Sequence, residues 1–317
     1  RRAACKRQLM AASKKKNNRQ TSGDPTDAEI GTIRKSGPHR LRVVLVYPNR
    51  YSVGMSNLGF QTVYGLLNRF DGVACERAFL SDGKTPAELR MASVESGRPL
   101  TEFDIIAFSV SFENDYPNML EVLATAGLPL QSRERRDTHP LVIAGGVACF
   151  LNPEPLAPFI DCFLIGEAEA MLEGFFACLQ NKGYPEHRDR RQLLAACARH
   201  VRGVYVPQFY RPFYDGTGGL AAVELLADVP ERIERTYLAD LSQIPTCSAV
   251  VTPHTTFDRT FLIEVGRGCP HGCRFCSAGF IYRPPRFRPL SLLQACMQQG
   301  ASVTDRIGLV GAAVSDL

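Results

Sequence analysis

Three cysteines stand close together near the end of the chain, in the run Cys269-Pro-His-Gly-Cys273-Arg-Phe-Cys276. The CxxxCxxC spacing puts three thiols on one short loop, and thiolates are ligands of zinc and of iron–sulfur clusters. Three thiolates can hold three irons of a cubane cluster. The fourth iron is then left open for a substrate or cofactor, because no fourth cysteine follows at ligand spacing. A structural zinc site needs a fourth ligand, for which His271, His254 and Cys296 are candidates. Zinc's usual form, however, is a pair of CxxC knuckles. The bacterial ferredoxin run C-x2-C-x2-C-x3-C-P is absent. Gly268 and Gly272 suit a backbone wrapped closely around a cluster. Arg267 and Arg274 are candidates to balance the thiolate charge. Glu264 reads either as a residue facing a barrel interior or as a salt-bridged structural group.

The loop resembles the signature of the radical S-adenosylmethionine (radical SAM) superfamily. That resemblance implies a [4Fe–4S] cluster on Cys269, Cys273 and Cys276, with S-adenosylmethionine chelating the open iron. It implies reductive cleavage to methionine and a 5′-deoxyadenosyl radical, which abstracts hydrogen from a substrate. Phe275, the aromatic residue before the last cysteine, is implied to pack on the adenine. Gly311 and Ala312, with Ser315 as a weaker candidate, take the place of the glycine-containing segment near the methionine amine. The common GGE form of that segment is missing here. A small electron donor of flavodoxin or ferredoxin type is the implied partner.

The elements that must position this loop are legible from apolar runs. Leu41–Tyr47, Asp104–Phe112, Leu141–Gly146 and Cys162–Gly166 read as buried strands, and Val73–Leu80 as a weaker one. Helices are expected over Ser56–Arg69, Thr85–Ser96, Pro117–Ala126 and Glu167–Leu179. Continuous apolar strands alternating with helices predict a doubly wound parallel α/β sheet. Its ligand crevice should lie beyond the strands' carboxyl ends, among loops 48–55, 109–116 and 145–155. Residues 203–258, rich in aromatic, Gly and Pro residues, read as a connector with a small hairpin. Phe261–Val265, Leu290–Gln299 and Arg306–Val310 then give strand, helix, strand. That is the opening of a second β/α unit, and the resemblance makes it the start of a partial (β/α)6 barrel that the chain does not complete.

The first α/β unit, residues 40–202, resembles the flavodoxin-like cobalamin-binding domain that precedes many radical SAM barrels. The matching pieces are Gly54-Met55-Ser56-Asn57-Leu58-Gly59, Ser109-Val110-Ser111, Gly145-Gly146 and Gly166-Glu167-Ala168-Glu169. The resemblance implies a crevice at Ser109, Ser111, Gly145 and Gly146 for a flat ring and its nucleotide tail. The DxHxxG motif that supplies a lower cobalt ligand is absent, since no histidine falls between His39 and His139. Cobalamin, if bound, would lack that ligand. A GxGxxG dinucleotide fingerprint is also missing.

The net charge of +5 comes from the amino terminus. Residues 1–23 carry eight basic groups and no acidic one, so the remainder carries a net −3. A general nucleic-acid surface is not indicated. Residues 1–39 read as a basic, disordered tail, through which alone RNA contact or organelle targeting would run. No stretch approaches the roughly 18 apolar residues of a membrane span, and no signal-peptide core is present. The remaining cysteines mostly stand singly in apolar context, as buried small hydrophobes do. A cytoplasmic enzyme of unknown substrate is therefore expected. With only two barrel strands before Leu317, the chain is expected to be a fragment that does not turn over alone. The rival expectations are a zinc-stabilised α/β scaffold or RNA-binding module, and a cobalamin-binding protein with a vestigial barrel.

Overall fold

A computed structural model describes residues 25–35, 41–81 and 91–314. Six strands form the main sheet: β1 (Leu41–Tyr47), β2 (Val73–Phe79), β3 (Ile105–Ser109), β4 (Leu141–Gly145), β5 (Cys162–Leu164) and β6 (Val204–Tyr205). Their order is β2-β1-β3-β4-β5-β6, parallel throughout except for β6, which pairs antiparallel with β5. The order 2-1-3-4-5 is the flavodoxin-like doubly wound arrangement. The expected parallel sheet is present, with one addition. Val204–Tyr205, read from sequence as connector, is its edge strand.

Each strand buries both faces, which is why its sequence is a continuous apolar run rather than an alternation. Val43, Leu45, Ile105 and Ile143 face one layer. It is built by α1 (Leu58–Leu67), and by the later α3 (Ala168–Asn181) and α4 (Arg190–His200). Val44, Val46, Ile106, Phe108 and Val142 face the other layer, which α2 (Tyr116–Thr125) covers with Met119, Val122 and Leu123. Asn57 caps α1 by accepting a hydrogen bond from the Phe60 N–H at 2.9 Å. Asp189 caps α4 in the same way from the Gln192 N–H.

Three expectations need correction. The helix expected over Thr85–Ser96 is not formed across residues 91–96, and residues 82–90 lie outside the described part. Ala92 pairs with Pro99, and the Glu95 carboxylate accepts from the Arg77 N–H and Nε, both at 2.7 Å. A tertiary ion pair has overridden local helix propensity. The tail expected over 1–39 gives way to packed chain at residues 25–35. Glu29 there forms a fully buried pair with Arg77 at 2.7 Å, and Tyr64 donates to the Ile33 carbonyl. Residues 1–24 and 36–39 lie outside the description. Finally, α4 was given no element by the sequence reading.

Beyond β6, β7 (Tyr210–Tyr214) and β8 (Leu220–Leu225) form the expected hairpin, exposed along most of its length. The second unit starts with β9 (Phe261–Glu264) and β10 (Gly266–Arg267), followed by β11 (Arg286–Phe287), α5 (Leu290–Ala301) and β12 (Ile307–Val310). β12 lies parallel to β9, so strand, helix, strand is the arrangement found. Phe261, Ile263 and Cys296 make its small core. The segment before β9 ties the two units together. The Gln61 side chain accepts from the Val250 N–H, Ser56 Oγ accepts from the Thr256 N–H, and Ile30 pairs with Val251. No helix among the described residues is long and apolar enough to cross a membrane.

Candidate functional site

A cavity of about 580 Å³ opens where the two units meet, a size in the range of small-molecule sites. Its floor is an apolar slot between the sheet face (Val43, Leu45, Ile105, Ala107) and helices α1 and α3. Its rim holds all four residues expected at the crevice: Ser109, Ser111, Gly145 and Gly146. These sit at the carboxyl ends of β3 and β4, where doubly wound sheets place ligands. Ser111 Oγ accepts from Asn57 Nδ2 at 3.0 Å. Gly146 has φ +110°, and a Cβ there would overlap the Val110 carbonyl, so the Gly-Gly step is required by the backbone. Nearby, Asn49 Nδ2 donates to one Asp115 oxygen at 2.8 Å. The other Asp115 oxygen has no partner among the described residues, and burial pushes this carboxyl up.

Gly311 and Ala312 also line the cavity, as do Gly266, Arg267, Gly268 and Tyr282. The structure thus brings the segment after β12 into the same chamber as the sheet crevice. Ser315 lies outside the described residues. Cys269, Cys273 and Cys276 are not in the lining. They sit on the loop between Gly268 and Tyr282, with Cys273 exposed and the other two half-buried. All three are free thiols. The Cys276 N–H donates to the Cys273 carbonyl, a tight turn that keeps the CxxC pair together. Among the described residues no group of three or more His, Cys, Asp or Glu side chains is placed to hold a metal ion. Phe275 is 93% exposed. Gly268 has φ +81° and lies against the Tyr282 carbonyl, so the backbone closes tightly there. A Cβ on Gly272 would meet open space, and that glycine has no packing reason of the expected kind.

Arg267 does not face the thiols. It donates to Glu167 (2.9 Å), Glu169 (2.5 Å) and Glu264 (3.0 Å). Glu264 also accepts from Arg288 at 2.6 Å, which fulfils the salt-bridged reading. Glu167 accepts from Arg286 at 2.7 Å and from the Leu238 N–H at 3.1 Å. Burial alone would raise the Glu167 pKa, but Arg286, Arg267 and the Leu238 N–H outweigh it and hold the carboxyl below its usual value. Burial alone would lower the Arg267 pKa, but Glu169 and Glu264 outweigh it and hold the guanidinium above its usual value. Sequence reasoning missed Arg286 and Arg288. The available signal was the run Arg283-Pro-Pro-Arg286-Phe-Arg288-Pro, three arginines in an otherwise apolar stretch.

Residues 59–207 match the family described as radical SAM proteins, N-terminal. That span covers α1 through β6 and ends before the cysteine loop. The chain is similar to an uncharacterized protein of Methanocaldococcus jannaschii, 25% identical over 280 residues, covering 86% of this chain and 50% of the relative. The chain therefore spans about half the length of the curated relative it matches. No solved structure matches it. The match to the N-terminal region of radical SAM proteins thus covers most of the sheet domain, and a CxxxCxxC loop follows it in the next unit.

Proposed function

We propose that this chain carries the cofactor machinery of a radical SAM enzyme, with Cys269, Cys273 and Cys276 as ligands of a [4Fe–4S] cluster. One observation supports it most: the three free thiols hang on a single loop whose base, Gly266–Gly268, and whose neighbour, Gly311-Ala312, border one cavity. The donor set fits an iron–sulfur cluster with one open iron, and the exposure of Cys273 leaves room for the loop to close on it. When bound, the reduced cluster supplies an electron that cleaves S-adenosylmethionine to methionine and a 5′-deoxyadenosyl radical. Gly311 and Ala312 present backbone at the cavity wall for the methionine end, and exposed Phe275 is free to cover the adenine. The electron comes from a small flavodoxin- or ferredoxin-type donor. Anaerobic reconstitution followed by EPR tests the proposal. A [4Fe–4S]⁺ signal that is lost in Cys269→Ala supports it; no signal, or zinc in place of iron and sulfide, overturns it.

A second ligand is favoured by the apolar slot between the sheet and helices α1 and α3. A flat group with a nucleotide tail, cobalamin among them, fits a rim of Ser109, Ser111, Gly145 and Gly146 above such a slot. No histidine is among the lining residues, so the cobalt would carry no protein imidazole. An absorbance titration with cobalamin decides this, and an unshifted spectrum removes the second ligand.

A further inference from the structure

Residues 268–285, which carry the three cysteines, leave and return through the two-residue ladder of β10 and β11. Its register places Arg267 directly opposite Arg286. Like charges facing each other across an antiparallel pair are destabilising, and both side chains are nearly buried, at 9% and 6% exposed. One carboxylate resolves the conflict. Glu167 Oε2 accepts from Arg267 Nη1 at 2.9 Å and from Arg286 Nη1 at 3.0 Å, while its Oε1 accepts from Arg286 Nη2 at 2.7 Å. Arg235 stands further off, at 3.8 Å. Arg267 has two other acidic partners, Glu169 and Glu264. The other hydrogen-bond acceptors of Arg286 are the Leu238 and Pro284 carbonyls.

Glu167 does not belong to the second unit. It sits in the turn from β5 to α3, at the carboxyl edge of the main sheet. Its backbone is fixed there: the Glu167 N–H donates to the Thr236 carbonyl at 2.9 Å, and a Cβ on Gly166 would overlap Thr236. A rigid sheet edge therefore holds the carboxylate shared by Arg267 and Arg286, one on each stem of the cysteine loop.

We infer that Glu167 is a positioning residue: from the first α/β unit it closes the base of the cysteine loop and so sets where the three thiols are held. This rests on the proposed function only for what the loop carries, since the closure itself is a property of the chain without any cluster.

Hydrogen exchange on the full chain, free of iron, tests the closure. The variants are Glu167→Gln, which keeps the shape and removes the charge, and Asp161→Asn as a control. Asp161 is an equally buried carboxylate of the same sheet, paired with Arg135 and Arg190. The amide of Arg288, bonded to the Val265 carbonyl at 3.0 Å, and peptides spanning residues 266–287 report on the loop base. Expected is at least tenfold faster exchange there in E167Q, with D161N matching the unsubstituted chain in this segment. Unchanged rates in E167Q overturn the inference, and so does equal acceleration in D161N, which would mean general loosening. If E167Q does not fold, Arg286→Lys reads the same contact: acceleration supports the inference and unchanged rates refute it. A second measurement follows anaerobic reconstitution, with E167Q expected to shift the g-values of the reduced cluster while D161N leaves them in place. If the unsubstituted chain takes up no iron, the cysteine assignment fails, while the exchange result still decides the role of Glu167.

Discussion

Ala107 lies on β3, on the sheet face that forms the floor of the slot, and is 7% exposed. Ala107→Leu would add three carbons on that floor. In an ordinary close-packed core such an insertion forces neighbours off their rotamers and costs about 1–3 kcal/mol. Here the side chain would enter a cavity of about 580 Å³ between α1 and α3. At roughly 0.8 kcal/mol per buried methylene, three carbons would stabilise the fold by about 2 kcal/mol. Leucine also suits a strand at least as well as alanine. The sign of the change therefore reports whether the slot is open. Urea unfolding monitored by circular dichroism gives the shift in midpoint, and an unchanged m-value keeps the comparison valid. The same variant should abolish any cobalamin absorbance shift while leaving cluster reconstitution intact, because the cysteine loop lies outside the slot. A loss of 1 kcal/mol or more would refute the open slot and the second ligand with it.

Four further outcomes follow from named contacts. Gly146→Ala adds a Cβ that overlaps the Val110 carbonyl at a left-handed φ, so a loss on the order of 3 kcal/mol is expected from strain and clash together; a urea midpoint within experimental error of the parent would contradict it. Arg77→Met strands the buried carboxylates of Glu29 and Glu95 and should cost about 3–5 kcal/mol, measured by the same assay. The Glu29 carboxyl is raised by burial, yet Arg77, Thr32 and Tyr51 bring it net below the ordinary 4.5. A depressed folded-state value means stability that is fully present above about 4.5 and is lost as pH falls below it. Glu95 is raised by burial and acts in the opposite sense, so the test is the difference between the parent and Glu29→Gln from pH 6 to 3, with E29Q expected to lose less stability than the parent as the pH falls. Lastly, a protease site inserted in the exposed turn Gly216–Gly219 should be cut without separating the two units; fragments that part on a sizing column would show that the contacts of Gln61, Ser56 and Glu167 do not hold them.

Much of the sheet was legible because buried parallel strands have no polar face to interrupt them. Leu41–Tyr47 and Leu141–Gly145 were readable as apolar runs for that reason. Val204–Tyr205 was not, since a two-residue strand shows no period and its pairing with Phe163–Leu164 is decided by the fold. The helix expected up to Ser96 failed over residues 91–96, where the Glu95 side chain is committed to Arg77, 18 residues away. That loops 109–116 and 145–155 should border a crevice followed from strand ends in a doubly wound sheet, whereas the choice of Ser109, Ser111, Gly145 and Gly146 within them came from the family resemblance; all four line the cavity. The role of Arg267 could not be read in either way. Its nearness in sequence to Cys269 suggested a counter-charge for the thiolates, whereas two of its acidic partners, Glu167 and Glu169, are 100 and 98 residues away. Sequence spacing reports which groups share a loop; it says nothing of which distant carboxylate neutralises that loop's base.

The shared chamber bears on how the two units work together. Had the sheet domain been a separate module on a tether, its crevice would face solvent and the cysteine loop would keep its own base. Instead the rim of the crevice, at Gly145 and Gly146, and the segment Gly266–Gly268 border the same space, and Glu167 belongs to both walls. A ligand seated against Gly146 and a group held beyond Gly268 would therefore meet across one cavity rather than through a linker. The hairpin β7–β8 between the units contributes nothing to that lining. Its exposure is consistent with a connection that spans the two units and leaves their alignment to buried charge. Burying so many arginines and carboxylates gains little net stability over an apolar contact. What it does supply is direction, because the planar fork of guanidinium donors constrains where its carboxylates can sit. On that reasoning the lattice of Glu167, Glu169, Glu264, Arg267, Arg286 and Arg288 sets the orientation of the base of the cysteine loop beside the cavity. A hydrophobic seam of the same area would hold the units together without setting that orientation.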